Sequence, residues 1–111
     1  MTSTLLTRTE ITEPEWASLL EDRFGASWFP EHHRCSVESV EGTVFVDFEA
    51  GYSDTLAPDE RRVFAARLGF IPAAAIHVQP SKLYSGSAEL AARVFATLSL
   101  HLHGTTALAA A

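Results

Sequence analysis

The sequence predicts an α+β fold in which an antiparallel sheet carries helices on one face. Two observations lead to this prediction. Runs that alternate apolar and polar residues, typical of half-buried strands, are separated by runs with apolar residues every three or four positions, typical of amphipathic helices. Two neighbouring strand runs are joined by a short turn, which is typical of an antiparallel hairpin.

The length and composition limit the class of protein. The chain has 111 residues, enough for one hydrophobic core but not for two, which predicts a single domain over residues 1–111. A single cysteine excludes an internal disulfide framework and favours a reducing compartment. The N-terminal residues MTSTLLTRTE lack the apolar run behind a basic head that is typical of a signal peptide, and no segment approaches the roughly 20 apolar residues of a membrane span. We therefore expect a cytoplasmic protein with no membrane association.

The first predicted elements are a strand and a capped helix. Residues 4–11 (TLLTRTEI) are rich in β-branched and apolar side chains, which favours a strand. In the next run Thr12 is placed to cap a helix, Pro14 fits its first turn, and Glu15 completes a capping box. Gly25 is placed to end this helix. The predicted buried stripe comprises Trp16, Leu19, Leu20 and Phe24.

The following two runs predict a hairpin. Residues 34–40 (RCSVESV) and 43–49 (TVFVDFE) flank the dipeptide at 41–42, Glu-Gly, which suits a two-residue turn. That turn sets the register, and in it both strands agree on which face is apolar. The opposed pairs are then Cys35 with Phe48, in the core, and Arg34 with Glu49, as an ion pair.

A second helix and another strand come next. Residues 56–70 predict a helix with Pro58 in its first turn and Gly69 at its end. Residues 73–79 (AAAIHVQ) predict a strand with Ile76 and Val78 inward and His77 outward, or the reverse. The expected buried stripe of the helix comprises Val63, Phe64, Ala65 and Leu68.

A third helix completes the pattern. Ser87 is placed to cap it and Gly104 to end it, and the run at 105–110 (TTALAA) is compatible with a terminal strand. The order strand, helix, two strands, helix, strand predicts a ferredoxin-like βαββαβ antiparallel sheet, extended by a C-terminal helix and the possible terminal strand. The stripe of the third helix comprises Leu90, Ala91, Val94, Phe95, Leu98 and Leu102.

Charge is unevenly distributed along the chain. Residues 1–60 hold 13 acids against three arginines, a net −10, whereas residues 61–111 hold five basic residues against one acid, a net +4. The total of −6 disfavours a nucleic-acid partner, because phosphate binding needs clustered lysine and arginine. It suits a basic protein partner, since opposite potentials accelerate encounter, although solubility alone is the alternative explanation.

The segment from Glu31 to Cys35, EHHRC, is the one candidate metal site in the sequence. His32 and His33 are adjacent in a run expected to be extended, so their side chains should leave on opposite faces. His33 and Cys35 would share a face, but two ligands fall short of the three or four that zinc uses. His101 and His103 keep a metal site open as the lesser alternative, but we predict no metal and no cofactor.

Catalytic motifs are not apparent. A nucleophile needs a neighbouring base and an orienting acid, and the hairpin register buries Cys35. There is no GxSxG elbow or phosphate-binding loop. Paired carboxylates among Asp47, Glu49 and Asp54 would permit acid–base chemistry, but acidic strand faces are usually solvated. We therefore predict that the protein is not an enzyme.

A partner-binding surface is predicted on the outer hairpin face and the loop after it. Asp47 and Glu49 point away from the core in the predicted register, and Tyr52 with Asp54 follows in the loop. Tyrosine and tryptophan dominate interface energetics, so Tyr52 is the expected anchor. Trp28 is a second candidate anchor, with packing against the core as its alternative.

Residues 61–109 have a helix ending in LGF, a proline before a short strand, a serine before a helix that ends in glycine, and a terminal strand. In this pattern the segment resembles small bacterial immunity proteins encoded beside polymorphic toxins. The resemblance implies a cytoplasmic inhibitor that binds and neutralises a cognate toxin or effector without catalysis. The alternative is a small-ligand-binding or enzymatic ferredoxin-like domain that acts as a homodimer through its sheet.

Overall fold

The computed structural model describes residues 3–8, 12–82, 86–101 and 105–109. These ranges contain three helices, with a short 3-10 turn before the hairpin and another after it. The helices are α1 (Glu13–Phe24), α2 (Pro58–Leu68) and α3 (Ser87–His101). The 3-10 turns are Pro30–His32 and Tyr52–Thr55. The strands are β1 (Ser3–Thr7), β2 (Ser27–Phe29), β3 (Arg34–Ser39), β4 (Gly42–Glu49), β5 (Ala74–Pro80) and β6 (Thr105–Ala109).

The six strands form one sheet in the order β2-β3-β4-β5-β1-β6, and neighbouring strands pair antiparallel. The α+β class is therefore confirmed. The ferredoxin-like topology is not confirmed, because a split βαβ unit needs β1 parallel to the strand that follows α1 in the predicted pattern. Alternating directions along this sheet make β1 antiparallel to β3. The extra strand β2, which the sequence pattern did not predict, takes the parallel position instead.

The hairpin register differs from the prediction by two residues. Ser39 pairs with Gly42, so the turn is formed by Val40 and Glu41 rather than by Glu41 and Gly42. Gly42 serves close packing rather than the turn, because a Cβ there would lie 2.8 Å from the backbone nitrogen of Ser87. A shift of two residues returns every side chain to the same face, so the predicted apolar face is correct although the predicted partners are wrong.

The core lies between one face of the sheet and helices α1 and α3. Cys35 is buried there as predicted, but its partner across the hairpin is Val46 rather than Phe48. Trp16 of α1 packs on Phe48 with ring centroids 5.4 Å apart. The central cluster comprises Leu5, Trp16, Leu20, Cys35, Val37, Val44, Val46, Phe48, Ile76, Val78, Leu90, Val94 and Leu98, together with smaller alanines.

Helix ends follow the predicted positions with different contacts. Thr12 is the N-cap residue of α1, but its side chain makes no capping hydrogen bond, so the predicted capping box does not form. Gly25 ends the helix in the left-handed conformation, at φ 64°. Ser87 is the first residue of α3, and its hydroxyl accepts a hydrogen bond from the Thr43 N–H at 3.0 Å instead of capping the helix.

Helix α2 occupies its predicted position but not its predicted environment. None of its residues, all in the described part of the chain, is buried. The expected stripe is therefore wrong: Phe64 and Leu68 are half-buried, whereas Val63 and Ala65 are exposed. These positions are spread around the helix, because successive residues lie about 100° apart.

The remaining predictions concern the ends of the chain. The terminal strand is present as β6 and pairs with β1. The first strand is shorter than predicted, with residues 9–11 outside the described residues. Leu102, His103 and Gly104, which the helix and metal predictions used, also lie outside the described residues.

Candidate partner-binding surface

The sheet face away from α1 and α3, here called the distal face, carries two of the five predicted site residues, Asp47 and Glu49. Alternation along the strands places Thr4, Arg34, Phe45, Asp47, Glu49 and His77 there. Four of these form a row across the sheet, because Arg34 is opposite Asp47, Asp47 is opposite His77, and His77 is opposite Thr4.

Asp47 is held by Arg34 in a two-bond ion pair. The Arg34 Nε lies 2.6 Å from Asp47 Oδ1 and its Nη2 lies 3.1 Å from Oδ2. These hydrogen bonds raise the pKa of Arg34 above its ordinary value, against the opposing effect of burial. The guanidinium also lies over the Phe45 ring, 5.0 Å from its centroid. The predicted pair of Arg34 with Glu49 is therefore replaced by Arg34 with Asp47, as the observed register requires.

Glu49 instead contacts His77. The His77 Nε2 lies 2.6 Å from Glu49 Oε1, and the His77 Nδ1 lies 2.9 Å from the Thr4 hydroxyl. An ionised carboxylate only accepts, so Nε2 carries the proton on the Glu49 side. In a neutral imidazole Nδ1 then accepts from the Thr4 hydroxyl, and in an imidazolium it donates to the Thr4 oxygen. His77 is thus satisfied in both charge states.

Tyr52 and Asp54 lie in the 3-10 turn that follows β4. The Tyr52 N–H donates to the Ala73 carbonyl at 2.9 Å, which ties this turn to the segment before β5. The Tyr52 ring packs edge-on against the Phe64 ring, with the ring centroids 6.3 Å apart. Burial, with smaller contributions from the charges of Glu49 and Glu60, raises the pKa of Tyr52 above its ordinary value. The phenol therefore remains a hydrogen-bond donor to a higher pH than an exposed tyrosine does.

The structure brings together four of the five predicted partner-binding residues. Asp47 and Glu49 share the distal face, and Tyr52 with Asp54 directly follows their strand. Trp28 does not join them. It lies in β2 opposite Cys35, on the core side of the sheet, where its half-buried ring packs against the core cluster.

Sequence reasoning separated His77 from Ile76 and Val78 but left open which face it takes, and it missed its partners. The missing information is strand order, since Thr4 and His77 are 73 residues apart and become neighbours only when β1 pairs with β5. Arg34 was identified as half of an ion pair, and only the register error assigned it to the wrong acid. The alternation at the end of the 73–79 run, with polar residues at His77 and Gln79, was the available signal for His77.

The two adjacent histidines lie in a different backbone from the predicted extended run. His32 ends a 3-10 turn, and His33 adopts the left-handed conformation at φ 50° before β3 begins. The expectation that they leave opposite faces of a strand is therefore wrong. Within the described ranges no group of three or more His, Cys, Asp or Glu side chains is placed to hold a metal ion.

Chemically, this surface combines the carboxylates of Asp47 and Glu49, held in place on the distal face, with the Tyr52 hydroxyl of the turn that follows. Asp47 and Glu49 keep acceptor capacity beyond the bonds to Arg34 and His77, because an ionised carboxylate offers about four acceptor sites. Both are partly exposed. A ligand with amine, guanidinium or amide donors would match this arrangement.

None of the helices in the described residues is both long and apolar enough to cross a membrane. No protein-family model matches the chain, and no significant match to it is found among curated proteins or solved structures.

Proposed function

We propose that the protein is an acidic, non-catalytic immunity or inhibitor protein of the cytoplasm that binds and neutralises a cognate protein toxin or effector. The observation that carries the proposal is the succession of Asp47 and Glu49, on the distal face of β4, by Tyr52 and Asp54 in the turn that directly follows this strand. These side chains can meet a partner without disturbing the core, which lies on the other face of the sheet.

The ion pairs on this surface favour binding by fixing its geometry. Ordering a rotamer-rich side chain at an interface costs about 0.5–1.5 kcal/mol. Arg34 already holds Asp47, and His77 already holds Glu49. Both carboxylates are therefore set in place before a partner arrives, and Tyr52 supplies an aromatic anchor beside them.

The test is co-expression with the product of the adjacent gene, scored by survival of the host and by direct binding. Tyr52→Ala should weaken binding by about 2 kcal/mol if the tyrosine is an anchor. Asp54→Lys should slow association and reduce its dependence on salt, because exposed interfacial charges act mainly on the association rate. Asp47→Lys is unsuitable, since it would leave Arg34 without its partner.

The matched control is Asp22→Lys, an exposed acid on α1, which packs on the other face of the sheet. It makes the same charge change and should leave survival and affinity unchanged. If Tyr52→Ala and Asp54→Lys bind like the parent while both melt cooperatively, the partner does not use this surface. If the adjacent gene product is not a toxin and does not bind, the immunity function is wrong.

The line Thr4–His77–Glu49 is the one observation that points to a second candidate, an enzymatic domain, and the strand pairing around it argues against that candidate. The His77 imidazole lies 2.9 Å from the Thr4 hydroxyl on one side and 2.6 Å from the Glu49 carboxylate on the other. A hydroxyl, an imidazole and a carboxylate in this order are the parts of a nucleophilic triad. Acyl transfer also needs free N–H donors for the oxyanion, and β1 and β5 are each paired on both sides, which engages their backbone groups in the sheet. Activated esters should therefore be hydrolysed equally by the parent and by His77→Ala. A rate that depends on His77 would favour the enzyme.

A further inference from the structure

Helix α2 leaves an apolar strip in contact with solvent. Val63 is 50% exposed, Ile71 just beyond the helix is 41% exposed, and Ala66 is also exposed. The helix has 11 residues, and isolated helices shorter than about 12–15 residues are marginal in water. In proteins most helical stability comes from packing an apolar face, which α2 lacks on this side.

The contacts that hold α2 in place lie on its other side. Phe64 packs against Tyr52, and the Arg61 side chain donates to the Ser53 carbonyl at 2.8 Å. Asp59, Val63 and Arg67 are four residues apart and follow one line along the helix surface. All three are exposed, and Val63 is the central residue of the helix.

The charges along this line are self-complementary. The line begins with an acid, has valine at its centre and ends with a base. In an antiparallel pair of α2 helices related by a two-fold axis at Val63, Asp59 of one copy is level with Arg67 of the other, twice over. Isologous interfaces of this kind are the commonest route to homodimers. We propose that the protein forms a homodimer through antiparallel packing of α2 against α2 of a second copy.

A groove beside the strip fits this arrangement. It has a volume of about 290 Å³ and is lined by Asp59, Glu60, Val63 and Phe64. The two-fold places Ala66 and Arg67 of the second copy opposite it. Alanine permits close approach of the helices, and the aliphatic part of an arginine can cover apolar surface while its charged end reaches an acid.

Charge also favours a second copy at this helix. The chain carries −6, so most faces of two copies repel one another. Helix α2 holds three arginines against two acids, a net +1, so the acidic excess that makes copies repel does not lie on this helix. The attractive Asp59–Arg67 pairs would then fix the antiparallel orientation.

The decisive experiment uses two charge reversals, Asp59→Arg and Arg67→Glu. Each variant alone places like charges opposite one another at both ends of the helix pair, and its self-association, followed by sedimentation equilibrium over a concentration series, should weaken about ten-fold or more. Mixing the two variants allows a heterodimer in which position 59 of each copy again faces a charge of opposite sign at position 67 of the other. The mixture should therefore associate like the parent, although neither component does.

The control is Glu89→Arg, the same charge change in the first turn of α3, which should dimerise like the parent. A second measurement is oxidation of Val63→Cys, which should cross-link rapidly because the two-fold brings residue 63 beside its mate, whereas Glu89→Cys should not. A monomeric parent, or a mixture of reversals no more associated than its components, overturns the proposal. Neither assay involves a toxin, so its result is independent of the proposed function.

Discussion

Helices α2 and α3 have similar first turns but differ in burial. Both have acids in the first turn and both carry several apolar residues. In α3, Leu90, Val94 and Leu98 are spaced by four and all are buried. In α2 the line that faces the protein, Glu60, Phe64 and Leu68, begins with a charge, and its two apolar residues are only half-buried. An apolar count is therefore a poor guide to helix burial, and the continuity of one line of side chains is a better one.

Truncating matched leucines should give the largest contrast between the two helices. Leu98→Ala removes a fully buried side chain of α3 and should lower the free energy of unfolding by about 3 kcal/mol. Leu68→Ala removes a half-buried side chain of α2 and should lower it by less than about 1 kcal/mol. Urea denaturation at a concentration where both variants are monomeric measures this difference. Equal losses would mean that α2 is packed as tightly as α3.

Adding a methyl group at a glycine near each helix should give the next contrast. Gly42→Ala places a Cβ 2.9 Å from the Cα of Ser87 and should destabilise the fold by about 2 kcal/mol, since α3 has to move away from the hairpin. Gly69→Ala, at the end of α2, meets no atom within 4 Å and only strains a φ of 80°, at about 1 kcal/mol. Thermal melting of both variants tests the order, and a larger effect at Gly69 would contradict it.

Hydroxyl removal should distinguish the buried start of α3 from its exposed surface. Ser87→Ala leaves the Thr43 N–H without its acceptor and should cost about 1.5 kcal/mol. Thr97→Ala removes only an exposed bond to the Arg93 carbonyl, and its effect should lie within about 0.5 kcal/mol of zero. Urea denaturation measures both effects. If the dependence of the unfolding free energy on urea concentration is the same in both variants and the parent, the difference in stability comes from the native state.

The smallest expected effect is a pH dependence at the contact between Tyr52 and α2. Burial and the charges of Glu49 and Glu60 raise the pKa of Tyr52 in the folded state, so its neutral form is favoured by folding. This contribution is present below the unfolded pKa of about 10 and is lost as pH rises through the folded pKa. Ultraviolet titration should show a phenol that ionises late, and Tyr52→Phe should remove it. An ordinary titration in the parent would contradict the contact.

The parts of the fold that could be predicted are those set by local pattern. The stripe of α1 and the apolar face of the hairpin were correct because each depends on side-chain period alone. The register was wrong because Gly42 was assigned to a turn, whereas it accommodates Ser87, 45 residues away in sequence. Strand β2 was missed because three residues are too few to show alternation.

The candidate site was predictable only in part for the same reason. Asp47, Glu49, Tyr52 and Asp54 are close in sequence, so a local pattern could group them. The row from Arg34 to Thr4 depends on strand order, which no single strand sequence contains. Trp28 was separated from the group because β2 places it on the core side, and a connecting segment without a predicted strand has no defined face.

Strand β2 has a consequence for solubility at high concentration. It forms one edge of the sheet, where unpaired N–H and C=O groups are a template for other chains. It is only three residues long and is followed by Pro30, which has no N–H to offer. Phe29 is 47% exposed there, so an edge strand of ordinary length would tend to pair with strands of other molecules. Brevity and a proline thus protect this edge from adding strands of neighbouring molecules, and a longer edge created by replacing Pro30 with a β-branched residue would favour fibrous aggregation.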